Sequence, residues 1–310
     1  MKKNFLLLNE AYILENSVEI FNGYRIKSPD MNQLKGIEFF FKHFSPYFIN
    51  YDRFLQKEKT NNRELPMEKW RFAILEYDSV QADFTFRKAL RLIDKDVSAL
   101  ADIYITLPGQ DNAMSIANFD ILESFLYLHS EENKILELKW ETADSLYLKI
   151  IYDSIKENEI KADIKKETNI ALEALQSLIQ LNMLQKYNTL RSLGLYSIIE
   201  YLIVNDPYPK RKSDSITKQF VKKYKVLNNR FVRKLNINAH FQSSSDEDTM
   251  LKNLYKFRSQ IAHGSFKSIT GAIQDLVSVE KVILFLELYV KRLIIQTLNE
   301  PDFIKRIKLE

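Results

Sequence analysis

Only six glycines and seven prolines punctuate this chain of 310 residues, and that scarcity constrains its fold more than any single motif does. Tight hairpin turns draw on glycine and proline for backbone angles that other residues resist, and phosphate-cradling loops need closely spaced glycines. An all-β fold with many hairpins and a glycine-rich nucleotide loop are therefore both disfavoured, and a mainly α chain is expected. Hydrophobic residues make up 45% of the sequence and aromatics 12%, enough to fill genuine cores in one large or two ordinary domains. Cysteine is absent, which rules out disulfides and thiolate zinc sites and agrees with a reducing compartment.

Strand signals gather near the start. Met1 to Glu10 mimics a signal peptide, but its apolar run ends after Leu8 and no small-residue cleavage site follows promptly, so a first strand is expected at Phe5 to Leu8. A second, near Tyr12 to Ile20, turns through Asn22-Gly23. Gly36 to Phe44 is dense in aromatics and expected to be buried, whereas Gln56 to Glu64 reads as a polar link. Helical spacing runs from about Val80 to Asp94. Ala101 to Leu107 alternates with period two ahead of Pro108-Gly109, which predicts a strand and a turn. Phe125 to Leu128 reads as a further strand, and Ser130-Glu-Glu-Asn133 as the cap of a long helix reaching about Lys156.

From Glu157 to Glu167 lysine and glutamate dominate, and this shift marks the expected boundary between an N-terminal α+β region with a few short strands, residues 1–160, and a helical domain, residues 161–310. In the second part Ile170 to Leu184 is amphipathic. Leu190 to Val204 is apolar nearly all round, the pattern of a central helix, with Glu200 as an exception that needs a partner. Asn236 to Thr249 reads as a polar loop, and a last long helix is expected from about Ala272 to Leu298. The apolar run Val282 to Ile295 carries Glu287, Lys291 and Arg292 and is too short to cross a bilayer. A soluble, cytoplasmic protein without membrane association is expected.

Charge is unevenly spread. The net charge is +4, yet Lys210 to Lys234 holds ten basic residues against Asp214 alone, so the rest of the chain is net acidic. Lys210, Arg211, Lys212, Lys218, Lys222 and Lys223, with Tyr208, Phe220, Tyr224 and Phe231 interleaved, form a pattern that can follow a phosphate backbone and stack bases. The same pattern also describes a solvated helix face whose aromatics lie in the core.

Dinucleotide-binding, P-loop, zinc-protease and serine-hydrolase motifs are all missing, and His43, His129, His240 and His263 are too scattered to suggest a metal cluster. No cofactor is expected. What remains is Lys252 to Ser265. At about 100° per residue, Leu251, Leu254, Tyr255, Ile261 and Ala262 share one face of a helix, with Arg258 in their middle. A guanidinium cannot shed its proton, so an arginine on that face requires a carboxylate, a phosphate or a crevice. His263 falls off the stripe and precedes Gly264, which reads as the left-handed residue just past a helix end.

Arg258-Ser-Gln-Ile-Ala-His263-Gly264 resembles the Arg-x4–6-His motif of the HEPN superfamily of helical ribonucleases, and Phe257 to Gly264 is particularly similar to its Apea-like branch. The likeness extends to Arg191 to Leu202, which looks like the preceding core helix with its acidic residue at Glu200, to Ser215-Ile-Thr-Lys218, and to the long apolar helix after the motif. It covers residues 163 to 305. Residues 36 to 155 are vaguely similar to N-terminal regions found on such proteins, notably at Phe86 to Ile93. Arg233 and His240 satisfy the same spacing, but Asn236 and Asn238 make that stretch loop-like. Two positions depart from the family pattern: Ser259 stands where active members often carry Asn, Asp or His, and Ser265 where a branch paired with a nucleotidyltransferase has tyrosine.

The resemblance implies a metal-independent endoribonuclease that leaves 2′,3′-cyclic phosphate ends, acting in bacterial stress or anti-phage defence by abortive infection. It gives Arg258 and His263 catalytic roles, Glu200 and Ser259 supporting ones, and RNA as the partner. It also implies a homodimer, with motifs of two chains meeting in a composite active site. Two other readings stand beside it. One is a non-catalytic HEPN-like module that binds RNA or protein. The other is a helical domain held inactive by an N-terminal sensor.

Overall fold

The computed structural model describes residues 3–8, 11–13, 17–21, 23–48, 66–70, 72–77, 84–95, 99–105, 114–117, 136–181, 184, 187–205 and 215–309. The chain is mainly helical, and among the described residues its strands lie in the N-terminal part. It divides into two compact units, Met1–Asp153 and Ser154–Glu310.

The first unit is built on a six-stranded antiparallel sheet in the order β3-β4-β5-β1-β6-β7. Its strands are β1 Lys3–Leu8, β3 Ser17–Phe21, β4 Tyr24–Lys27, β5 Ile74–Tyr77, β6 Ala99–Ile105 and β7 Met114–Ala117. The segments β2 Ala11–Tyr12 and β8 Leu136–Glu137 pair separately and in parallel. β1 lies inside the sheet, between β5 and β6. Its Phe5, Leu6, Leu7 and Leu8 are all buried, which explains why it reads as an unbroken apolar run instead of an alternating one. Gly23, with a φ of 81°, sits in the turn between β3 and β4. Helix α1 Met31–Phe48 runs beside β6, and helix α2 Phe84–Leu92 brings Phe86 into a stacked contact with Tyr24 at 4.1 Å. The expected features at Gln56 to Glu64, Pro108-Gly109, Phe125 to Leu128 and Ser130 to Asn133 lie outside the described residues.

Helix α3 Thr142–Lys165 corrects two expectations. The long helix starts at Thr142, after the β8 strand, instead of directly past Asn133. The Lys/Glu-rich stretch from Glu157 to Lys165, expected as the boundary, is the largely exposed last part of that helix, and the units divide within the helix at Asp153/Ser154 instead of at residue 160. A charged stretch with few apolar residues is common to an exposed helix and a domain boundary, and the intrahelical pair of Lys161 with Glu157 at 2.6 Å favours the helix here.

The second unit contains α4 Ile170–Leu181, α5 Thr189–Ile203, α6 Ile216–Asn228, α7 Ile237–Phe241, α8 Glu247–Ala262, α9 Val279–Asn299 and α10 Pro301–Leu309. α5 packs against α4, α8, α9 and α10, and so occupies the centre that its apolar circumference demands. Gly194 permits the close approach of α4, since a Cβ there would meet a methyl of Leu181 at 2.3 Å. Caps fix the helix starts: Asn188, Ser215, Asn236, Asp246 and Ser278 each accept a backbone N–H from the first turn of α5, α6, α7, α8 and α9 in order. Thr249 donates its hydroxyl to Asp246 at 2.6 Å, and that bond together with backbone donors holds the Asp246 carboxyl below its usual range. Asp246 to Asp248 is therefore a helix start. Asn236 to Thr249 is not a loop throughout, because it contains α7 and the first turn of α8.

Just ahead of α9, a 3-10 turn over Gly271–Leu276 ends at Val277 with φ 64° and ψ −61°, and the Ser278 amide donates to the Leu276 carbonyl at 2.7 Å. This is the strained form of the γ-turn, occupied by a β-branched residue that is 54% exposed. Val277→Gly is expected to stabilise the protein by about 1 kcal/mol, because relief of strain outweighs the added freedom of the unfolded chain. Urea titration measures the change. An unaltered or lower midpoint would show that the turn is not strained.

Candidate active site

α8 carries both halves of the motif. Its buried arc holds Met250, Leu251, Leu254, Tyr255 and Phe257, and Arg258 falls within that arc as expected. Burial then fades toward the C-terminal turn, where Ile261 is half-buried and Ala262 exposed. Arg258 thus sits where the helix leaves the core, with its side chain 27% exposed.

The partner required by this arginine is Glu200 of α5. Arg258 Nη2 donates to Glu200 Oε2 at 3.0 Å, and the Tyr255 hydroxyl donates to Glu200 Oε1 at 2.8 Å. Both carboxylate oxygens are therefore engaged from consecutive turns of α8. The guanidinium carbon lies 5.7 Å from the centre of the Tyr255 ring, and Arg258 Nε is buried without a hydrogen-bond partner. Burial first, then the hydrogen bond and charge of Glu200, push the Tyr255 phenol well above its ordinary value despite the opposing Arg258 charge, so it remains a donor. A buried neighbour, Tyr196, donates to the Leu254 carbonyl at 2.6 Å and meets Tyr255 edge-on at 6.2 Å, which ties α5 to α8 at the level of the ion pair. The role of Tyr255 was not legible in the sequence, where it reads as a packing residue; the signal was its i,i+3 position relative to Arg258.

His263 caps α8. Its amide donates to the Ser259 carbonyl at 3.0 Å, the Gly264 amide to Ile261 at 3.0 Å and the Ser265 amide to Gln260 at 2.9 Å, with Gly264 at a φ of 67°. These are the bonds of a Schellman motif, and just past it Phe266 packs edge-on against Phe257 at 5.1 Å. The cap bonds themselves are made by backbone amides and carbonyls. The imidazole is exposed and meets no partner among the described residues. Positions five apart are turned by about 140°, so within one chain Arg258 faces Glu200 while His263 faces outward. Ser259 is half-buried, and its carbonyl receives the cap bond.

The alternative pair separates differently. His240 belongs to α7, a short helix and not a loop, and its Nε2 donates to the Lys281 carbonyl of α9 at 2.8 Å while the ring packs on Phe241 and Phe285. It fastens α7 to α9.

The basic segment is dispersed. Lys210, Arg211 and Lys212 lie outside the described residues. Lys218 and Lys222 are exposed on α6. Lys223 is buried instead of facing solvent, its ammonium donating to Ile203 O, Gln219 Oε1 and Lys308 O at 2.9, 3.1 and 3.1 Å. It cannot reach a nucleic acid without leaving the core. Lys225 is paired with Asp248, and Arg230 grips Glu300 with two bonds at 3.0 and 3.1 Å. Phe220, Tyr224 and Phe231 are buried, so these rings fill the helical core and do not stack bases.

Among the described residues no group of three or more His, Asp or Glu side chains could hold a metal ion, and no helix is long and apolar enough to cross a membrane. Compared with protein-family models, with curated proteins and with solved structures, the chain matches none.

Proposed function

We propose that the second unit, Ser154–Glu310, carries a HEPN-type domain and that the protein is a metal-independent endoribonuclease, acting in the cytoplasm in bacterial stress or anti-phage defence. The observation that carries this reading is the pairing of Arg258 with Glu200 at 3.0 Å, beside a histidine held exposed at a glycine-closed helix end.

RNA cleavage of this kind needs three services. A base removes the 2′-hydroxyl proton, the resulting O2′ attacks the adjacent phosphorus, and an acid protonates the departing 5′-oxygen. The products are a 2′,3′-cyclic phosphate and a 5′-hydroxyl. Negative charge that grows on the non-bridging oxygens needs a fixed cation. The Arg258 guanidinium supplies that cation, with Glu200 and Tyr255 fixing one side of its fork. His263, with a free imidazole, suits the base or the acid. Because the two side chains point different ways in one chain, a homodimer in which the Arg258 of one protomer meets the His263 of its partner is part of this proposal. The test uses RNA containing one cleavable linkage, in EDTA. The expected products carry cyclic phosphate ends, and a 2′-deoxy substitution at that linkage blocks cleavage. Cleavage of the deoxy substrate at an equal rate would overturn the mechanism.

A second reading, a non-catalytic RNA-binding module, is favoured by a different observation: within one chain Arg258 faces Glu200 while His263 faces outward. It predicts salt-dependent RNA binding without cleavage by either full chain or helical unit.

A further inference from the structure

The solvent face of α8 stands opposite Arg258. Lys252, Lys256, Ser259 and His263 follow one another at intervals of four, three and four residues, and so line up along one side of the helix. Lys252 and Lys256 are exposed, and neither has an ion-pair partner among the described residues. That sets them apart from Lys225, Lys161 and Arg230, each of which has a carboxylate within reach. The surrounding sequence has the same bias: between Asp248 and Asp275 there is no Asp or Glu at all, while Lys252, Lys256, Arg258 and Lys267 all fall there. Lys267, just past the helix, is also exposed and unpaired among the described residues. Glu200 balances Arg258, but in a chain that is 28% charged this acid-free stretch leaves Lys252, Lys256 and Lys267 without an ion-pair partner among the described residues.

We propose that this face of α8 is a track for the phosphate backbone of single-stranded RNA, along which Lys252 and Lys256 lead the strand to His263. It rests on the ribonuclease reading for its ligand, and it relocates the RNA contact from the α6 segment, where Lys223 is buried and Lys225 paired, to the motif helix itself. The spacing suits the ligand. Lys252 and Lys256 are separated by about 6 Å along the helix axis, comparable to the distance between neighbouring phosphates in an extended strand, and His263 lies about 10 Å beyond Lys256. Lysines on flexible stems act as point charges on phosphates and read no sequence, so the track is indifferent to base identity.

The experiment measures binding of a fluorescein-labelled single-stranded oligouridylate to the full chain as a function of salt, in a His263→Ala background so that cleavage cannot intervene. Each single-strand phosphate contact contributes about 0.7 to the slope of log affinity against log salt, so Lys252→Ala/Lys256→Ala is expected to reduce that slope by about 1.4 and to weaken binding roughly ten- to thirtyfold near 0.1 M salt. Lys149→Ala/Lys161→Ala removes the same net charge from α3, where both lysines are paired with acids, and is expected to leave the slope unchanged. Circular dichroism monitors folding. In the otherwise wild-type chain, the α8 double variant is expected to raise KM with kcat preserved. Equal slopes for the two double variants would overturn the track. Binding that follows the predicted slopes in a protein that never cleaves RNA would instead overturn the catalytic reading and leave the track standing.

Discussion

His263→Ala is expected to lower RNA cleavage by about 10²- to 10⁴-fold, the usual contribution of a positioned proton-transfer group, while leaving the melting temperature of the protein almost unchanged. The structural half of this expectation follows from the cap. The helix end is closed by the amides of His263, Gly264 and Ser265 and by the left-handed backbone of Gly264, and the exposed imidazole takes no part in it. Surface substitutions of this type usually change stability by less than about 0.5 kcal/mol. His240→Ala makes the opposite trade. It removes a bond to the Lys281 carbonyl and ring contacts with Phe241 and Phe285, so it is expected to cost about 1–2 kcal/mol of stability and to leave cleavage intact at temperatures where the fold persists. Both histidines follow an arginine, with four residues between Arg258 and His263 and six between Arg233 and His240, but they do not share a role, and side-by-side assays with thermal melts separate them. Loss of cleavage in both variants, at equal stability, would contradict the assignment.

The second large effect concerns Glu200. Glu200→Ala strands two groups at once: the Arg258 guanidinium loses its counter-charge and the buried Tyr255 hydroxyl loses its acceptor. Removing one member of a fully buried pair costs several kcal/mol, but both side chains here are about a quarter exposed, and solvent screening reduces the expected loss to about 2 kcal/mol. That corresponds to a melting shift of roughly 5 °C for a unit of this size. Cleavage is expected to fall as well, since the fork of Arg258 is no longer held. Tyr255→Phe alone is expected to have a smaller effect on both, and its effect is expected to shrink further in the Glu200→Ala background, because the hydroxyl then has no acceptor to lose. A double-mutant cycle measures that coupling. Additive effects would show that Tyr255 and Glu200 act independently.

Glu200 was legible in the sequence because it interrupts an apolar helix, and a lone carboxylate in such a place demands a cation. Gly264 was legible for a similar reason: glycine directly after a helical stripe has few other uses. The strands of the first unit announced themselves through Phe5 to Leu8 and through the alternation at Ala101 to Leu107. Where the reading failed, one residue type had two possible environments. A lysine on a helix is written the same way whether it points outward, like Lys222, or places its ammonium among carbonyl oxygens, like Lys223. Phe220, Tyr224 and Phe231 are equally suited to stacking a base or filling a core, and only tertiary packing chose the core. α7 is too short to show a helical period, so Asn236 read as loop when it is a cap. The exposed end of α3 is rich in lysine and glutamate, so it reads as a boundary between domains when it is the last part of a helix.

In the proposed mechanism Arg258 acts on RNA phosphate without a metal. The most direct test of this is cleavage of a labelled RNA in EDTA by the purified full chain and by its Arg258→Ala variant, with the fragment ends identified. The expected result is 2′,3′-cyclic phosphate fragments from the wild type and none from the variant. Equal cleavage by the two, or cleavage that vanishes from both when EDTA is added, would contradict it.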